Sequence, residues 1–425
     1  MTQVTRRSML KTMAAAWTFP TLAGVTTVAA ADAPLATWPQ WRGPTRDGIV
    51  PGNTWPKTID DSNFQQIWRV DNLGPSYSGT IVATDRVFTT ATVDKKTEVV
   101  SAYSRKDGKL LWQSSWEGAM TVPFFAAANG SWIRATPTYD GESLFVGGIR
   151  DVLVCVNAAD GKERWRVDFV KELKSTLPAF GMVCSPLVDE TAVYVQAGGG
   201  FLKLDKKTGK VLWNVLPEKD AMMGSAFSSP TFATVAGQPQ ILVQTRSKLA
   251  GVTKDDGKVL WTRDIPSFRG MNILTPTAKD DVLFTSAYGS KSFGFNLDKV
   301  GESFSLADRW TTNREGYMST PVVVNGHIYL HLRNQRVACL ELATGKECWV
   351  TEKAYGKYWS MVAQGDKILA LDERGILFLL KADPKEFTVI SEKKLPNPET
   401  WAHLAVAGDE LFIRDLVGLT AYRWK

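Results

Sequence analysis

Few residues of this 425-residue chain could do chemistry, and their spacing limits what that chemistry would be. The three histidines are dispersed; His327 and His331 share a strand face but stand about 13 Å apart at the usual rise, too far for one metal ion. No Cys-x-x-Cys, His-Glu-x-x-His or Gly-x-Ser-x-Gly occurs, and no Cys-x-x-Cys-His offers a haem site. No catalytic residue and no metal site is therefore expected, and the sequence leans away from an enzyme. What remains is guanidinium chemistry. Arg134, Arg150, Arg246, Arg269 and Arg333 fall in loops, with Trp359 and Trp401 at nearby strand entrances. A ring of arginines could hold a carboxylate- or phosphate-bearing ligand through paired hydrogen bonds. The competing expectation is a set of solvated loop charges offset by neighbours such as Asp151, Glu315, Asp372, Glu373 and Asp415. Tyr77, Phe180, Phe227 and Tyr317 recur near the same entrances, either lining a mouth or packing between sheets.

The elements that must position these residues repeat. KDGKLLW ends at Trp112, ADGKERW at Trp165, KTGKVLW at Trp213, DDGKVLW at Trp261 and ATGKECW at Trp349. Glycine in a polar turn between two β-rich runs makes a tight hairpin, because it takes the positive φ such a turn needs. A second signal, Ser or Thr before an alternating strand, a turn and another strand, begins at Thr136, Ser185, Ser229, Thr275 and Thr320. Weaker copies start at Thr80, Ser360 and His403. Eight units spaced by about 40 to 56 residues have the period of four-stranded propeller blades. The expected fold is all-β, an eight-bladed β-propeller of four-stranded antiparallel blades spanning residues 64–425, after a lead-in segment at 34–63. After its inner pair the final unit supplies only one further strand, LTAYRWK, so the spare run QQIWRV near Trp68 is expected to fill the missing outer place and close the ring. The fifth unit reaches Trp310 through a longer turn and the seventh has no Trp, which leaves seven blades as the alternative. The repeated Trp68, Trp112, Trp165, Trp213, Trp261, Trp310 and Trp349 are expected to dock one blade on the next.

The turn-Gly-Lys-x-x-Trp signature resembles the PQQ-like propeller repeat over about Trp38 to Lys425. That family holds both quinoprotein dehydrogenases and the non-catalytic outer-membrane assembly factor BamB. The lead-in WPQWRGPTRDGIVPG looks like that of many bacterial secreted PQQ-like proteins. The first branch implies a PQQ-dependent oxidoreductase with calcium, but its adjacent Cys pair has no counterpart among Cys155, Cys184, Cys339 and Cys348. The second implies a binding or scaffolding protein without a cofactor, and that is the leading expectation.

The formal charge of +6 is modest, and half of it lies in Arg6, Arg7 and Lys11, too little and too scattered for nucleic acid. Residues 1–33 read as a twin-arginine-like export signal, a basic stretch before a weakly apolar run broken by Pro20. A periplasmic or secreted monomer is expected, with envelope proteins as partners and no mature membrane span. In an oxidising compartment cysteines pair, and counting back from the turn at Leu342 to Gly345 sets Cys339 opposite Cys348. The long stretch 115–135 holds Trp116, Phe124, Phe125 and Trp132, which either fold back over the blades or present an apolar patch.

Overall fold

The computed structural model describes residues 36–52, 55–218, 224, 226–396 and 399–425. The export-signal reading falls on residues outside that set. Eight four-stranded antiparallel sheets make the fold, so the eight-blade count holds and the seven-blade alternative fails. Blades 1 to 7 each run through four consecutive strands, from Ile81–Val82 to Leu110–Glu117 in blade 1 and from Trp359–Gln364 to Thr388–Lys394 in blade 7. First strands of neighbouring blades touch, which places them at the axis. Blade 8 takes Ala405–Ala407, Glu410–Arg414 and Leu419–Trp424 from the end of the chain and its outer strand, Phe64–Val70, from the beginning. Among the described residues, no helix is long and apolar enough to cross a membrane.

The Gly-Lys-x-x-Trp motif works between blades. Trp112 donates its indole N–H to the Ala158 carbonyl of blade 2 at 3.0 Å, Trp165 to Lys206 of blade 3 at 3.0 Å, and Trp310 to Leu342 of blade 6 at 2.9 Å. The ring lies over the glycine of the receiving turn. A Cβ on Gly161 would sit 2.4 Å from Trp112 and one on Gly345 2.4 Å from Trp310, and both glycines have φ near +70°. Each glycine is thus required twice, for its turn and for the tryptophan of the preceding blade. The two imperfect units show the same logic. Blade 5 offers no such glycine turn, and Trp261 bonds Gln240 Oε1 of its own blade at 2.7 Å instead. In blade 7, Ser391 occupies the tryptophan's register position opposite Leu379. There the lead-in substitutes: the Ile59 N–H donates to Ser391 Oγ at 2.8 Å, and buried Trp55 and Ile59 join the core of blades 7 and 8.

One register expectation is wrong. A β-bulge between Cys339 and Leu340 sets Trp349, not Cys348, opposite Cys339, because the strand carries one residue more than a plain hairpin count allows. The bulge leaves Cys348 beside the same partner; both thiols are free, and burial together with the neighbouring Cys348 pushes the Cys339 thiol up.

The lead-in does more than begin the ring. Trp38 bridges Val82 of blade 1, and the Tyr139 N–H of blade 2 donates to the Pro39 carbonyl. The Val50 N–H donates to Ala363 of blade 7, and the Ala363 N–H to Gly48. Between these anchors, Arg42 and Arg46 are buried. Arg42 donates to the Thr320 and Pro321 carbonyls of blade 6, at 2.8 and 2.6 Å. Arg46 donates to Ser185 and Pro186 of blade 3 and to Pro230 of blade 4, the last at 2.7 Å. Crossing between opposite blades at the level of the inner strands, the segment plugs the central channel.

Candidate functional site

The Ser/Thr positions that marked the repeat form a belt around the axis. The backbone N–H of Gly79 donates to Thr136 Oγ1, that of Thr136 to Ser185 Oγ, and that of Ser185 to Ser229 Oγ, at 2.9, 3.1 and 3.0 Å. Ser229 continues to Thr275 and Thr275 to Thr320, each at 3.2 Å. Each hydroxyl accepts from the preceding blade, which satisfies N–H groups that short inner strands leave unpaired. Two residues before Gly79, Thr136, Ser185, Ser229, Thr275, Thr320, Ser360 and His403, on the same face of an extended chain, stand Tyr77, Arg134, Val183, Phe227, Ile273, Met318, Tyr358 and Trp401. These eight meet at the mouth of the channel. With Phe180, Met271 and Tyr317 they line a recess of about 200 Å³. Beneath it a chamber of about 120 Å³ reaches the belt, Trp359, His403 and Trp41 of the plug.

Among the described residues, the mouth is aromatic with a single cation. Tyr77 and Tyr358 both pack against Trp401, with centroids at 5.6 and 6.0 Å. The Arg134 guanidinium lies 5.2 Å over the Tyr77 ring and donates to the Gly130 carbonyl at 2.6 Å. Burial pushes Arg134 down to about 10, opposed by Tyr77, so it stays charged at neutral pH. Among the described residues, no Asp or Glu lines either cavity. Burial likewise pushes His403 down to about 3, with the nearby Arg42 charge adding to the effect.

The structure brings three of the seven candidate residues together, Arg134, Trp359 and Trp401, with Trp359 fully buried under the mouth against Phe378 and His331. It keeps the other four apart. Arg150 pairs with Glu117 at 3.1 Å, and Arg333 pairs with Glu315 and stacks 4.5 Å over Tyr288. Arg246 is buried and reaches the Arg269 carbonyl at 3.5 Å, while exposed Arg269 stacks over Phe268 and Phe125. The 115–135 stretch divides: Trp116 is buried, whereas Phe124 is 91% and Phe125 50% exposed. Sequence reasoning missed Arg42 and Arg46. The signal available was a pair of arginines set among Gly and Pro, with Asp47 alone between Arg46 and Gly48 to balance them.

Residues 95–351 match the protein family described as outer membrane protein assembly factor BamB. The chain belongs to that family. Among individual relatives, BamB of Yersinia pestis is 22% identical over 391 residues, covering 87% of this chain and 91% of its own. BamB of Shewanella oneidensis is 22% identical over 314 residues, 72% of this chain and 66% of its own. Among solved structures, BamB from Moraxella catarrhalis superposes with a TM-score of 0.63 at 17% identity, over 85% of this chain and 98% of that one. Quinohemoprotein alcohol dehydrogenase from Comamonas testosteroni superposes with a TM-score of 0.61 at 10% identity, over 92% and 81%. These likenesses establish the fold. Among the described residues the mouth supplies one cation for a quinone's carboxylates and no carboxylate for a calcium ion, so a quinone of the kind in the second relative's name has no matching donor set there. No oxidative step is derived through it.

Proposed function

We propose that this chain is an exported, non-catalytic propeller that binds a protein partner on its loop face, in the periplasm or beyond it. The observation that carries this reading is a continuous aromatic path out of the channel mouth. Phe227 meets Phe180 at 5.6 Å, Phe180 meets Phe125 at 6.4 Å, and Phe125 meets the exposed Phe124 at 5.6 Å. Large exposed aromatics continuous with a recess mark a surface that buries more area when a partner covers it. The plug closes the channel below, so the recess takes a side chain rather than passing a molecule through. Family membership supports an envelope protein as that partner.

A photo-cross-linking residue at position 124, introduced in living cells, is expected to capture a discrete partner. With the cross-linker at Phe268 instead, the same partner is expected to be captured, and adding Phe124→Asp and Phe125→Asp is expected to lower that Phe268 product at least about 10-fold at unchanged Tm. Undiminished capture by the double variant would sink the proposal. Export is checked separately. Non-reducing peptide mapping of the exported protein is expected to yield a Cys339–Cys348 linked pair, since Cys348 adjoins Trp349, the residue paired with Cys339. Two alkylated thiols would count against it.

A further inference from the structure

At the end of the blades away from the mouth, a cleft of about 670 Å³ opens between blades 3 and 4. The stretches of chain that wall it, 188–192, 231–241 and 252–256, are described throughout. Asp189, Glu190 and Asp255 line it against one lysine, Lys254. Burial first, then the charges of Asp189, Asp255 and Glu190, push the nearby Tyr194 phenol up, so the three acids converge. Asp189 is committed to the Tyr194 hydroxyl at 3.0 Å and to Lys254 at 3.4 Å. Among the described residues, the exposed Glu190 and Asp255 carboxylates have no ion pair. Phe232, 41% exposed, stands edge-on to Tyr194 at 5.8 Å in the same cleft.

Phe232 also belongs to an open sheet edge. Six blades have inner strands of two or three residues, whereas Thr231–Val235 of blade 4 has five and Trp359–Gln364 of blade 7 has six. In blade 7 the lead-in covers the edge through Ala363, three residues beyond the belt position Ser360, and it meets blades 1 and 2 likewise at Val82 and Tyr139. Phe232 holds that place in blade 4, three residues beyond Ser229. Pro239 stands opposite Thr234 and has no N–H, so theirs is not a pair that exchanges two hydrogen bonds. By alternation, Phe232 and Thr234 direct their N–H and C=O groups away from the neighbouring strand. Among the described residues, the partner these groups find is the Thr231 hydroxyl, 3.4 Å from the Phe232 carbonyl. We propose that this edge and cleft take an extended, lysine- or arginine-bearing segment of a partner protein. Main-chain hydrogen bonds pair it to Thr231–Val235, as the lead-in is paired on blade 7, and a cationic side chain lies on Phe232 beside Glu190 and Asp255.

The probe is a fluorescein-labelled heptapeptide of alternating lysine and valine, titrated with the full chain by fluorescence anisotropy. Saturable binding with a Kd below about 100 μM at low ionic strength is expected, weakening several-fold at physiological salt. N-methylation of alternate peptide bonds, which deletes donors and keeps the charge, is expected to weaken binding at least about 10-fold. Thr234→Pro is expected to cause a similar loss at unchanged Tm, because it deletes one outward N–H of an edge strand. Glu190→Gln with Asp255→Asn is expected to remove most of the salt dependence. In hydrogen exchange, the Phe232 and Thr234 amides are expected to gain at least about 10-fold protection with peptide, while the Ala363 amide is protected without it. No saturable binding overturns the proposal, as does equal binding by the N-methylated peptide, by a glutamate-valine peptide or by Thr234→Pro. A dimer of the chain that Thr234→Pro abolishes assigns the edge to a second copy and overturns it too. Phe124→Asp with Phe125→Asp is expected to leave peptide binding unchanged, so this reading and the one at the mouth fail separately.

Discussion

Arg46→Ala is expected to destabilise the propeller by about 3–5 kcal/mol, read as a lower urea midpoint at unchanged m-value. The guanidinium gathers the Ser185, Pro186 and Pro230 carbonyls from two blades and holds Gln40 Oε1 through Nε at 2.9 Å. Truncation leaves those buried acceptors without a donor and opens a hole in the plug. Burial pushes Arg46 down to about 10, yet it stays charged at neutral pH, because carbonyl dipoles take the place of a counter-ion. Arg46→Lys is expected to restore less than half of the loss, since a point ammonium cannot span two strands as a planar fork does. Arg166, at the surface, serves as control, with an expected change under about 0.5 kcal/mol for its alanine variant. An equally small effect at Arg46 would mean that the plug adds nothing to stability.

Glu98→Ala is expected to cost about as much, roughly 3–4 kcal/mol, for a different reason. Glu98 is fully buried, with Oε2 accepting the Trp116 indole N–H at 2.7 Å and Oε1 the Ile149 N–H at 2.8 Å. It ties the outer strand of blade 1 to the loop of blade 2. Burial pushes its carboxyl up to about 7, against those two donors, which favour the charged form. The folded protein therefore keeps a proton that the unfolded chain releases near the ordinary carboxylate range. This contribution to stability is fully present below about pH 4.5 and is lost as pH rises through 7. Glu98→Gln cannot titrate, so the wild type's advantage over it is expected to shrink between pH 4.5 and 7, by at most about 3 kcal/mol. Parallel urea curves at several pH values read this difference directly. Comparison with the variant matters because buried His331, pushed down to about 4, gives the wild type an opposing slope: stability falls as pH drops from 6.5 toward 4.

The ring was legible because its signals are local and repeated. A glycine turn and a tryptophan four residues on report one hairpin each, and five copies average out the errors of any single one. Closure was legible too, from an unpaired strand at each end of the repeat. The Ser/Thr marks were read as the start of each unit, while their part in a belt depends on neighbours about 45 residues away. The plug was not legible, since the acceptors for Arg42 and Arg46 lie on inner strands far along the chain, with no pattern linking them. For the loop arginines, sequence placed the loops but not the side chains, which turned to whatever acid or ring lay nearest. The cysteine register failed on one bulge, a single inserted residue that a strict alternation cannot anticipate.

The pairing of Phe64–Val70 with Leu419–Trp424 joins segments about 350 residues apart. During synthesis every other blade can form from neighbouring chain, but this seam cannot close until its last strand has been made. Until then Phe64–Val70 has no partner and blade 8 has no outer edge, so two strand edges stand open together. The time spent in that state is governed by closure over nearly the whole chain rather than by any single blade, and it is the interval in which the protein is most exposed to mispairing with a second copy.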